Sequence, residues 1–76
     1  MSTEEKIKKI MSTTTGIRTI NNTDLLIEAL NVDSLDKLDI MIELEDEFLI
    51  EIEDSDTDKI KTVQDITDLI EEKINV

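Results

Sequence analysis

The chain of 76 residues sets 20 Asp and Glu against 8 Lys and Arg, a formal net charge of −12. That balance excludes a nucleic-acid binder, which needs a basic face to track phosphates, and argues against anionic membrane surfaces. Leu, Ile, Val and Phe still supply 25 of the 76 residues, well above the roughly 20% below which charged chains stay disordered. The chain therefore folds, with self-repulsion working against its compact state.

The first helix is announced by Ser2 as N-cap and Glu5 three residues on, a capping box. Ile7, Ile10 and Met11 follow at helical spacing, and Gly16 is the stop, which predicts a helix over 3–14. Residues 16–33 hold no sustained period and carry turn formers at Asn21, Asn22, Asp24, Asn31 and Asp33. A long loop is predicted there, pinned to the core by Leu25, Leu26, Ile27 and Leu30 and with room for one helical turn. Asp33 then caps a second helix running to about Leu49, with Asp36 completing a capping-box-like pattern. An acidic connector follows over 51–58, with a short helical turn near 55–60. Thr62 caps the last helix, with Asp65 at N3 and Val63, Ile66, Leu69, Ile70 and Ile74 as its apolar stripe. Lys73 suits the negative end of that helix. The elements predict an all-α fold: a small helical bundle of three main helices plus one short helix, one domain over 1–76.

The absences bound the chemistry. Without Cys there is no disulfide framework or thiolate metal site, and without His the commonest general base is missing. The segment MSTEEKIKKI is charged and lacks an apolar run, so it reads as neither a signal peptide nor a spanning helix. Asn21-Asn22-Thr23 matches a glycosylation sequon with no secretory signal to use it. A cytoplasmic monomer with no membrane insertion is the expectation, and its charge favours partners with basic surfaces.

The second helix carries two apolar stripes. Met41, Leu44 and Phe48, with Ile40 beside them, form one; Leu35, Leu38, Ile42 and Leu49 form the other. Together they cover far more than the about 100° of arc that a core-facing helix needs. Asp36, Asp39, Glu43, Asp46 and Glu47 fill most of the remainder. Two readings stay open: a central helix buried on both sides, or an exposed apolar patch rimmed by carboxylates that docks a partner.

No pair among the 20 acids is marked as desolvated, so a solvated charged face is the reading for them and no catalytic residue is assigned. Asp54, Asp56 and Asp58 match positions 1, 3 and 5 of a calcium-binding EF-hand loop. Lys59 stands where the turn glycine belongs, however, and Asp65 replaces the bidentate Glu, so no metal site is assigned. The reading that competes with the one below is an unmodified acidic adaptor, or weak calcium-responsive module, using the face of the second helix.

Asp33-Ser34-Leu35 opening a helix in so small and acidic a bundle resembles an acyl carrier protein. The stretch Leu30-Asn31-Val32-Asp33-Ser34-Leu35-Asp36 is similar to that family's attachment motif, usually Leu-Gly-x-Asp-Ser-Leu. Glu45-Asp46-Glu47-Phe48 with Ile52-Glu53-Asp54, and Ile60-Lys61-Thr62-Val63-Gln64-Asp65, resemble two further blocks at family spacing. The resemblance implies that Ser34 is esterified to 4′-phosphopantetheine taken from coenzyme A, within a motif completed by Asp33, Leu35 and Asp36. The thiol absent from the chain is thereby imported and holds acyl groups for fatty acid, lipid or polyketide-type synthesis; the carrier itself is not an enzyme.

The same resemblance implies a phosphopantetheinyl transferase (holo-carrier synthase) guided by Asp33 and Asp36. It also implies acyl-transferring and chain-elongating enzymes docking on Leu35, Leu38 and Ile42, with acidic contacts at Asp39, Glu45 and Asp46. Glu43 joins Asp36, Asp39 and Asp46 within about 80° of arc, one acidic stripe. Ile40, Leu44, Phe48, Ile52 and Ile60 are candidate liners for an acyl chain, and equally plain core. Asn31 replaces the usual glycine and tolerates left-handed backbone. The last helix lacks the aromatic residue common in housekeeping members, which leaves a specialised carrier and general fatty acid synthesis both open.

Overall fold

Ser2 Oγ accepts the Glu5 N–H at 3.2 Å, and the same hydroxyl donates to the Glu5 carboxylate at 3.3 Å, so the first helix is capped where the sequence places it. The computed structural model describes residues 2–75. Its helices are α1 (Thr3–Thr15), α2 (Ser34–Phe48), α3 (Asp54–Lys59) and α4 (Val63–Ile74). α1 runs one residue further than expected, to Thr15, and Thr13 and Thr15 turn their hydroxyls back onto the Lys9 and Met11 carbonyls, at 3.0 and 2.8 Å. Gly16 then ends it at φ 78°, donating its N–H to the Ser12 carbonyl, a left-handed cap that glycine adopts without Cβ strain.

α1 packs on α2 and α4. The core is Ile7 and Met11 from α1, Ile40, Met41 and Leu44 from α2, and Val63, Ile66 and Ile70 from α4. Leu26, Leu30, Val32 and Ile60 close it from the connecting segments. α4 is held by a full capping box: Thr62 Oγ1 accepts the Asp65 N–H at 3.1 Å, and Asp65 accepts the Thr62 N–H at 3.0 Å. Asp65 also accepts the Lys61 N–H at 2.9 Å. These two backbone donors hold its carboxyl below the usual carboxylate range.

The loop over 16–33 contains the single helical turn that the sequence allowed, with the Ala29 N–H on the Leu25 carbonyl at 2.9 Å. It is fastened by backbone bonds. Leu26 donates to the Lys61 carbonyl at 3.0 Å, while Val63 and Gln64 donate to Asp24 and Asn22 at 3.1 and 2.8 Å. An isolated antiparallel bridge joins Leu25 to Thr62. Of the four apolar side chains expected to pin this loop, Leu26 and Leu30 do so, but Leu25 and Ile27 point outward and are exposed. The backbone bonds make their burial unnecessary.

Leu49 is a second correction. It belongs to no stripe of α2 but caps it, at φ 54° and ψ 49°, with its side chain 90% exposed. A left-handed L-residue costs about 1–2 kcal/mol. Leu49→Gly removes that cost, less the about 0.5–1 kcal/mol by which glycine widens the unfolded ensemble. The expected net gain is about 0.5–1 kcal/mol, or about 4 °C in the midpoint of a circular dichroism melt. An unchanged or lower midpoint would show that the Leu49 side chain packs more than its exposure implies.

Candidate functional site

The N-terminus of α2 is built by three short-range choices. Asn31 takes the left-handed conformation at φ 54°, turning the chain after Leu30. Val32 is buried, and its N–H is held by the Leu26 carbonyl at 2.8 Å. Asp33 then caps the helix, its Oδ1 accepting the Asp36 N–H at 2.9 Å. The expected return bond from Asp36 to the Asp33 N–H is not made, so the box is half closed, and Asp36 is half-buried. Ser34 follows as the first helical residue, exposed, with no hydrogen bond from its hydroxyl to any described residue. The Ser34 and Leu35 N–H groups are among the first-turn donors that have no intrahelical acceptor.

Beside Ser34 opens a groove of about 410 Å³. Its floor is apolar, from Leu26, Val32 and Ile60, and Lys37, Asp58 and Lys61 stand along its edges. On the other side of Ser34 lies the second stripe of α2. Leu35 is 71% exposed, Leu38 48% and Ile42 56%, so of the two readings of this helix the structure selects the open apolar patch. The first stripe, Ile40, Met41 and Leu44, is buried, with Phe48 half-buried against the core.

Among the acids placed around the patch, Asp39 is exposed beside it. Glu43 and Asp46 lie further along, lining a second groove with Glu47, opposite Lys6 and Lys9 of α1. Glu45 is set apart: it is half-buried, and its Oε2 accepts the Ile52 N–H at 2.9 Å, closing the turn after α2. Of the proposed chain liners, Ile40, Leu44 and Ile60 are buried core, while Phe48 and Ile52 are half-buried at its margin.

The calcium-loop spacing comes apart in the fold. Asp54, Asp56 and Asp58 sit on the helix α3 rather than in a loop, where alternate residues diverge by about 200°. Asp56 is spent on the Glu53 N–H at 3.2 Å and on Lys73 at 3.0 Å. The Lys73 bond holds the Asp56 carboxyl below its usual range and raises the Lys73 ammonium. Among the described residues no group of three acidic side chains is placed to hold a metal ion, and no helix is long and apolar enough to cross a membrane.

A free hydroxyl at an open helix start, flanked by an apolar-floored groove and an apolar patch, fits a long amphiphilic group joined through a phosphate. The family model for the phosphopantetheine attachment site matches residues 5–70. An acyl carrier protein of Buchnera aphidicola subsp. Baizongia pistaciae is 41% identical over 73 residues, covering 93% of this chain and 94% of that one. The acyl carrier protein of Thermotoga maritima superposes with a TM-score of 0.83 at 33% identity, over 93% of this chain and 85% of that chain. That of Enterococcus faecalis gives 0.77 at 36% identity, over 96% and 99%. The chain belongs to the acyl carrier protein family.

Sequence reasoning passed over several residues of this site. Lys37 was not singled out, although it follows Ser34 by three residues on one helix, a spacing that makes the two side chains neighbours. Ile27, read as a core anchor, instead lies exposed in the lining of the groove beside Ser34.

Proposed function

We propose that Ser34 is the attachment point of 4′-phosphopantetheine and that the chain carries acyl groups as thioesters on that arm between enzymes. The observation that carries this reading is the exposed, uncommitted Ser34 hydroxyl at the first position of α2, inside the segment matched by the family model. First-turn N–H groups and the positive end of the helix dipole favour a phosphodiester at that position. When bound, the arm supplies the nucleophilic thiol that this chain lacks.

The chain's own residues anchor and present. Asp33 fixes the helix start through the Asp36 N–H, and both carboxylates offer a rim to the basic face of a phosphopantetheinyl transferase. Leu35, Leu38 and Ile42 form the apolar contact for acyl-transferring and chain-elongating enzymes, with Asp39, Glu43 and Asp46 as the charged border. Glu45 adds one carboxylate oxygen to that border, its other being held by Ile52.

Intact mass spectrometry after incubation with coenzyme A and a phosphopantetheinyl transferase tests the reading. One arm per chain is expected. A chain that never gains the arm's mass is not a carrier of this kind.

A further inference from the structure

Lys37 is one of six Lys and Arg side chains that make no ion pair among the described residues, and it is the one that stands beside Ser34 on α2. It is half-buried, and its Nζ donates to the Ile60 carbonyl at 2.8 Å. The ion pairs among the described residues are Lys8–Glu4 and Lys73–Asp56, and Lys37 takes part in neither. It stands at the fourth position of α2, where the helix dipole disfavours a positive charge. Its bond to the Ile60 carbonyl leaves the charge itself uncompensated.

A compensating anion has a natural source. Lys37 lies three residues after Ser34 on one helix, a spacing that makes two side chains neighbours on the helix surface. Both line the same groove, whose other charged edges are Glu28, Asp33 and Asp58, which repel a phosphate, and Lys61, which attracts one. An ammonium has three donors, and the Ile60 carbonyl takes one of them.

We propose that Lys37 holds the phosphodiester of an arm attached at Ser34 while keeping its bond to Ile60, so that the root of the arm is tied to the segment between α3 and α4. This rests on the attachment of the arm at Ser34 proposed above. Its consequence is that loading stabilises the domain through one named side chain.

The test compares thermal midpoints before and after loading, in the wild type, Lys37→Gln and Lys37→Arg, together with the 31P resonance of the arm. The rise on loading should be about 2–4 °C smaller in Lys37→Gln than in the wild type, the size of one partly exposed charge pair in so small a domain. Lys37→Arg should restore it. The wild-type rise should shrink as salt increases, a readout that depends on no variant folding. The 31P resonance should move in Lys37→Gln, return in Lys37→Arg, and in the wild type drift toward the Lys37→Gln value as salt rises. Full loading with equal rises and an unmoved resonance overturns this inference and leaves the carrier function standing. Absence of any mass gain in the wild type overturns both.

Discussion

Ser34→Ala abolishes the gain of arm mass and leaves the melt of the domain unchanged. Both halves of this expectation follow from position. The hydroxyl makes no hydrogen bond to a described residue, the side chain is exposed, and the cap of α2 is supplied by Asp33 rather than by Ser34. Truncation at such a site changes stability by within about ±0.5 kcal/mol. Ser55 is the internal control, exposed in the first turn of α3, a helix of only 6 residues. Ser55→Ala should load like the wild type. Intact mass and circular dichroism on the two variants decide it: a Ser34→Ala chain that still gains the arm sinks the assignment, whatever its stability.

Asp39→Lys with Asp46→Lys slows association with a cognate synthase about tenfold at low salt, the scale on which a charged rim steers encounter. The loss should fade as salt rises, because exposed charges are screened over ~10 Å at 0.1 M. Asp46 faces Lys6 and Lys9 across the groove between α1 and α2, so its reversal also sets like charges together and the melt must be checked. Asp39, exposed on the open side, gives the cleaner single variant. Leu38→Ala acts differently. Its side chain is 48% exposed in the free protein, so truncation opens no core cavity; it instead speeds dissociation by about tenfold, roughly 1.4 kcal/mol. Stopped-flow binding at several salt concentrations separates the two effects. A double reversal that binds as fast as the parent at low salt would place the recognition surface elsewhere.

What was legible in the sequence was whatever one residue type enforces locally. Gly16 and Asn31 mark left-handed turns, and both adopt them. Thr62 with Asp65 writes out a capping box that the structure closes in both directions. Leu49 was not legible, because leucine has no preference for the left-handed region and its spacing imitated a helical stripe. The stitching of Leu26 to Lys61, and of Val63 and Gln64 to Asp24 and Asn22, was invisible for another reason. It is made by backbone groups, which every residue carries and no side chain announces. The exposure of Leu35, Leu38 and Ile42 needed three dimensions, since two apolar stripes on one helix do not say which of them the neighbouring helices cover.

Ser34 stands on a foundation that is fixed from behind. Asp33 caps its helix, the Val32 N–H is held by Leu26, and the loop that precedes it is sewn to the start of α4. With the arm attached at Ser34 as proposed, cargo tethered at that fixed origin would explore a bounded volume rather than the whole solution. On the docking proposed above for the apolar patch, the cargo would meet the active site at an effective concentration on the millimolar scale that short tethers give. The docking contact therefore has no need to be tight. It has only to outlast one chemical step, and a brief residence lets the same chain move on to the next enzyme with its cargo still attached.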